Sequence, residues 1–168
     1  NLERLIYKIA GEDAEANAAF MKSLNTEGKY SITEDMKAKL GDFAAGYATE
    51  DEVKQMIAKT YQKTGYVMDT HTAVAAFVAD GYRKNTGDTR KTVVASTASP
   101  YKFTRSVMEA VDASYASQSD FELVDELNKI SGVAVPQAIE DIRSAAVLHD
   151  TVCDKSEMEA TVRNILGL

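Results

Sequence analysis

The sequence predicts a helix-rich α/β fold in which a few parallel strands are surrounded by many helices. Three observations carry this. Four segments pair a hydroxyl residue with a glutamate three positions on, the capping-box pattern, and then continue with apolar residues at helical spacing. Two brief apolar runs, at about 65–69 and 91–96, each follow a glycine or polar turn and read as strands. Thr72 to Arg83, between the runs, can supply a helix, so the arrangement is a βαβ unit with neighbouring parallel strands.

Taken in order, Leu2, Leu5, Ile6 and Ile9 already follow helical spacing. A helix under way at Asn1, with no initiating methionine, predicts a piece of a longer chain. The acidic GEDAE stretch reads as an exposed turn and helix start. Lys29 to Ile32 is a short, weaker strand candidate. Ser31 with Glu34 opens a helix carrying Met36 and Leu40; Thr49 with Glu52 opens one carrying Val53, Met56 and Ile57. After the two strands, Ser119 with Glu122 precedes Leu123 and Leu127. Pro136 falls in the first turn of a helix with Ile139, Ile142 and Ala146. Ser156 with Glu159 precedes Val162, Ile165 and Leu166. Gly11, Gly28, Gly65, Gly81, Gly87 and Gly132 punctuate the gaps. There is no repeat, low-complexity tract or dividing linker, so residues 1–168 read as a single unit. So small a sheet needs further strands from elsewhere, which predicts an exposed sheet edge through which the chain self-associates.

Composition narrows the function classes. At 168 residues, 45% hydrophobic and 27% charged, the chain can bury a core without disulfides or metals. A net charge of −7 argues against a general binder of nucleic-acid phosphates. No apolar run approaches the roughly 20 residues of a membrane span, and the opening residues lack a signal-peptide pattern. Cys153 is alone, which excludes an internal disulfide and a cysteine-rich zinc site; with only His71 and His149, a histidine metal site is also not expected. A free thiol fits the reducing cytoplasm. Cys153 itself reads as an incidental thiol in a polar connection. The basic residues around Gly87 (Arg83, Lys84, Arg90 and Lys91) read as a solvated loop.

Ligands of open α/β sheets bind outside the carboxyl ends of the strands. Both better strands end in polar clusters there: Asp69, Thr70, His71 and Thr72 after the first; Ser96, Thr97 and Ser99 before Pro100 after the second. Each cluster leads into a helix, whose free amides and positive dipole end favour anions, and Lys102 adds a full charge. The same residues serve simple capping equally well, with Thr72 and Ser99 as ordinary N-caps. From the residues alone two readings stand: an anionic small-molecule site, or a helical interaction or anion-binding module without catalysis.

Three blocks carry a family resemblance. YVMDTHTAVA resembles the D-P/T-H-T-A-V-A segment of threonine synthases, STASPYKF their T-A-H/S-P-x-K-F segment, and NLERL their N-F/L-E-R-L. The blocks occur in the family's order, and with the helical segments around them the likeness spans essentially the whole chain. It implies the C-terminal part of a fold type II large domain that uses pyridoxal 5'-phosphate. It further implies a parent phospho-lyase of threonine biosynthesis, converting O-phosphohomoserine and water to threonine and phosphate. The family's Schiff-base lysine and its glycine-rich phosphate loop lie upstream of NLERL, so the chain alone would lack the catalytic lysine, be inactive and hold no cofactor. By position in T-A-S-P, Thr97 is the expected hydroxyl facing the cofactor's ring nitrogen, with Ser96 second and Ser99 kept as the helix cap. Ser99 stands where many relatives have histidine, and Thr70 replaces a common proline. Asp69, His71, Thr72 and Lys102 are expected on the substrate side or as structural support for the wall.

Overall fold

The computed structural model describes residues 2–168; Asn1, the first residue of the NLERL block, lies outside them. The described residues form nine α-helices joined by short 3₁₀ turns and irregular segments. In chain order these are α1 (Leu2–Ile9), α2 (Ala14–Glu27), α3 (Glu34–Ala38), α4 (Glu50–Thr64) and α5 (Thr70–Thr86). There follow α6 (Thr104–Val111), α7 (Asp120–Ser131), α8 (Gln137–Arg143) and α9 (Met158–Leu166).

No strand occurs among the described residues, which corrects the α/β expectation. Residues 65–69 are the connection between α4 and α5. Gly65 ends α4 at a φ of 74°, and Asp69 caps α5. Val67 and Met68 between them are buried in the core, so their apolar character reports packing against helices rather than a place in a ladder. Residues 91–96 run as an irregular segment, with Val93 93% exposed. A strand is stable only with a partner, and this segment has none among the described residues. Lys29–Ile32 is likewise irregular. The predicted βαβ unit is therefore a helix, α5, flanked by two non-strand segments, and the described residues offer no sheet edge for self-association.

The helix signals fared better, and the deviations are local. Thr49 and Glu52 form the expected capping box of α4, as do Ser119 and Glu122 for α7. Two boxes are displaced by two residues. Thr33, not Ser31, caps α3 by accepting from the Met36 amide. Asp154, boxed with Glu157, opens the turn before α9 in place of Ser156. Pro136 sits one residue earlier than expected, as the N-cap of α8. Gly81 lies inside α5 rather than in a gap.

The main core is built by α4, α5, α6 and α7: α4 packs on α5 and α6, and α6 packs on α7. Ile57, Val107, Met108, Leu123 and Leu127 are fully enclosed there. Each such side chain contributes about 2 kcal/mol by leaving water. A smaller cluster of Ile6, Ile9 and Met36 gathers α1 and α3, with Phe20 of α2 packed against it. The long connection 144–157 and α9 lie outside both cores. Among the described residues no helix is long and apolar enough to cross a membrane.

Candidate functional site

The first turn of α5 is organised by Asp69 rather than by Thr72. The Asp69 carboxylate is 1% exposed, and its Oδ1 accepts from the His71 amide at 2.9 Å and the Thr72 amide at 3.1 Å. An aspartate cap of this kind satisfies amides left free by the helix start. Its second oxygen, Oδ2, accepts the hydroxyl of Thr72, which is also buried. Thr72 in turn shares a hydrogen bond of 2.8 Å with Ser96 Oγ, 24 residues away. Asp69, Thr72 and Ser96 thus form one chain of polar contacts from the helix interior to the surface.

The irregular segment is fastened to α5 a second time. Arg83 reaches Thr92 Oγ1 at 2.7 Å and the Arg90 carbonyl at 3.3 Å. Arg90 in turn grips Asp88 through its guanidinium, with contacts of 2.5–3.0 Å. That ion-paired hydrogen bond from Arg90, with help from its backbone amide, lowers the Asp88 pKa to about 2. All four residues of the basic patch are exposed, as a solvated loop requires, and two of them, Arg83 and Arg90, also clasp residues 90–92 onto α5.

Beyond Ser96 the chain turns at Ser99, whose Oγ accepts from the Tyr101 amide at 3.3 Å to open the 3₁₀ turn Pro100–Phe103. The capping expected of Ser99 holds, whereas Thr72 is the third residue of α5 and not its cap. Tyr101 is buried and donates its hydroxyl to the Val133 carbonyl at 2.5 Å, anchoring the turn to the end of α7. The next residues face a second small cluster. The ring of His71 meets Phe103 edge-on, with centroids 5.0 Å apart, and Lys102 Nζ lies 5.4 Å from the same ring. Lys102 and Phe103 also line a groove of about 520 Å³ shared with Arg105, Phe121, Ile139 and Ile142.

All six predicted site residues are accounted for. Asp69, Thr72 and Ser96 come together in the polar chain, while His71 and Lys102 meet at Phe103. Thr97 is exposed, and its hydroxyl has no hydrogen bond among the described residues. Sequence reasoning missed Phe103 and Arg83. Phe103 follows Lys102 in the same block, but nothing in that spacing shows His71 arriving beside it. Arg83 was visible only as one charge of a basic patch. Among the described residues there is no group of three or more His, Cys, Asp or Glu side chains placed to hold a metal ion.

Comparison with known proteins agrees with the family resemblance. Residues 72–153 match the family model described as threonine synthase, C-terminal. Human threonine synthase-like 1 is 31% identical over 134 residues, covering 77% of this chain and 18% of that protein. The threonine synthase of Saccharomyces cerevisiae is 27% identical over 148 residues, covering 78% and 29% respectively. A crystal structure of pyridoxal-phosphate-bound threonine synthase from Brucella melitensis superposes with a TM-score of 0.54 at 33% identity. That match covers 69% of this chain and 26% of the other. The chain thus spans 18% to 29% of the length of these relatives. It belongs to the threonine synthase family, of which it carries the C-terminal region.

Proposed function

We propose that this chain supplies the part of a threonine synthase that faces the cofactor ring, with Thr97 as the hydroxyl at the ring nitrogen. The parent reaction is conversion of O-phosphohomoserine and water to threonine and phosphate. Pyridoxal phosphate, when bound, supplies the electron sink for replacement chemistry on the substrate carbon chain, and the protein tunes that sink. The observation that carries the reading is the contrast between neighbouring hydroxyls: Ser96 is engaged with Thr72, whereas Thr97 is exposed and unengaged among the described residues. A threonine hydroxyl can donate to a ring nitrogen, and being neutral it does not hold that nitrogen protonated as a carboxylate would.

The other residues serve position and charge. The Asp69–Thr72–Ser96 contacts hold the backbone on which Thr97 rides. Lys102 brings a positive charge beside the groove, suited to the phosphate of the substrate, and His71 shares the Phe103 ring with it. The lysines of this chain do not sit in the family's Schiff-base motif, so the chain alone is inactive and retains no cofactor. The cytoplasm is its compartment. The test is the Thr97→Val variant of the full-length enzyme: turnover falls tenfold or more, by about 1.4 kcal/mol of transition-state stabilisation, and Thr97→Ser restores most of it. Near-normal turnover in Thr97→Val would count against the assignment.

A further inference from the structure

We infer that Asp69 is a positioning residue that fixes Ser96 as a hydrogen-bond acceptor toward the ligand. Asp69 Oδ1 is taken by two backbone amides, and Oδ2 receives the Thr72 hydroxyl. A threonine hydroxyl has a single proton. With that proton on the carboxylate, the 2.8 Å contact between Thr72 Oγ1 and Ser96 Oγ is made with the proton of Ser96. Ser96 therefore turns its proton inward and presents lone pairs at its exposed end.

The consequence is selective. The ligand group that meets Ser96 carries an N–H or O–H, such as an ammonium or an alcohol. A phosphate, carboxylate or carbonyl oxygen there would face lone pairs with no proton between them, the unsatisfied arrangement that costs most when water is excluded. Thr97 beside it is under no such constraint, so residues 96 and 97 place a fixed acceptor next to a free donor. This rests on the reading that the junction faces cofactor and substrate. The donor could belong to either, and the experiment separates them.

Asp69→Asn reverses the chain without removing the cap. The amide oxygen still accepts from the two backbone N–H groups, as asparagine caps as well as aspartate. Its nitrogen now donates to Thr72, Thr72 donates to Ser96, and the Ser96 proton points at the ligand. In the full-length chain, calorimetry would give the Kd of pyridoxal phosphate for the apoenzyme and of L-threonine for the holoenzyme. Both are measured for wild type, Asp69→Asn, Ser96→Ala and the double variant. The expected result is a loss of about tenfold in one of the two affinities for Asp69→Asn, shrinking to under about twofold in the Ser96→Ala background. A loss in cofactor affinity assigns the donor to pyridoxal phosphate; a loss in threonine affinity assigns it to the amino acid. Unchanged affinities, or an equal loss in both backgrounds, would overturn the inference, because a purely structural role for Asp69 does not depend on Ser96. Thr97→Val leaves this chain of contacts intact, so its turnover tests the cofactor reading separately.

Discussion

Thr72 Oγ1 and Ser96 Oγ stand 2.8 Å apart across 24 residues of chain, joining the first turn of α5 to the irregular segment that carries the hydroxyl cluster. Arg83, near the other end of α5, holds the same segment through Thr92. The helix thus acts as a template: two side chains on it fix a segment that has no secondary structure of its own. Thr97 lies between this pair of fastenings and the turn that Ser99 and Tyr101 anchor, so perturbing either fastening has effects that can be separated from loss of fold.

Removing the carboxylate of Asp69 breaks the helix cap, whereas the Thr72 hydroxyl keeps Ser96 as its partner. Asp69→Ala is expected to destabilise the chain by about 2 kcal/mol, because the lost N-cap leaves the buried Thr72 amide unpaired. Asp69→Asn keeps the cap and stays within about 1 kcal/mol of wild type. Urea denaturation followed by circular dichroism measures both, and equal losses in the two variants would contradict the capping role.

Loosening the clasp should change local motion more than global stability. Arg83 is exposed, so Arg83→Ala is expected to cost under about 0.5 kcal/mol. Tryptic cleavage after Arg90 and Lys91 nevertheless accelerates, because the contacts of Arg83 to Thr92 and to the Arg90 carbonyl are lost and the segment moves more freely. Limited proteolysis followed by mass spectrometry reads these two sites directly. Unchanged cleavage there would show that the segment is held by something other than Arg83.

The Asp88–Arg90 pair gives a pH signature with a defined sign. The folded-state pKa of Asp88 is depressed to about 2, against about 3.9 for an unperturbed aspartate. The stabilisation by this pair is therefore complete above the unfolded value and is lost as pH falls through about 2. Carbon NMR of the Asp88 carboxyl is expected to show a midpoint well below the ordinary range in wild type and a return toward about 3.9 in Arg90→Gln. An ordinary midpoint in the wild-type protein would refute the clasp as drawn.

How much of this could be read from the sequence depended on the kind of signal. Helices were legible because capping chemistry and helical spacing agree, as at Thr49 with Glu52 and Ser119 with Glu122. The displaced caps at Thr33 and Asp154 have a common cause: several capping residues stand within two positions, and spacing does not rank them. The strands were misread because a short apolar run reports burial, not pairing. Val67 and Met68 are buried by helices, and Val93 by nothing in the described chain. The two junctions rich in polar side chains were legible as places in the chain, DTHT before α5 and the hydroxyl cluster before Pro100. Their wiring was not legible, because DTHT offers several caps and only the fold shows that Asp69 takes the amides and frees Thr72 to reach Ser96.

The proposed contact of Thr97 with the ring nitrogen of pyridoxal phosphate is tested most directly by a crystal structure of the full-length enzyme with the cofactor bound. Thr97 Oγ1 is expected within hydrogen-bond reach of the ring nitrogen, at about 2.7–3.2 Å, with Ser96 still on Thr72. A ring nitrogen met by Ser96, or by neither hydroxyl, would contradict it.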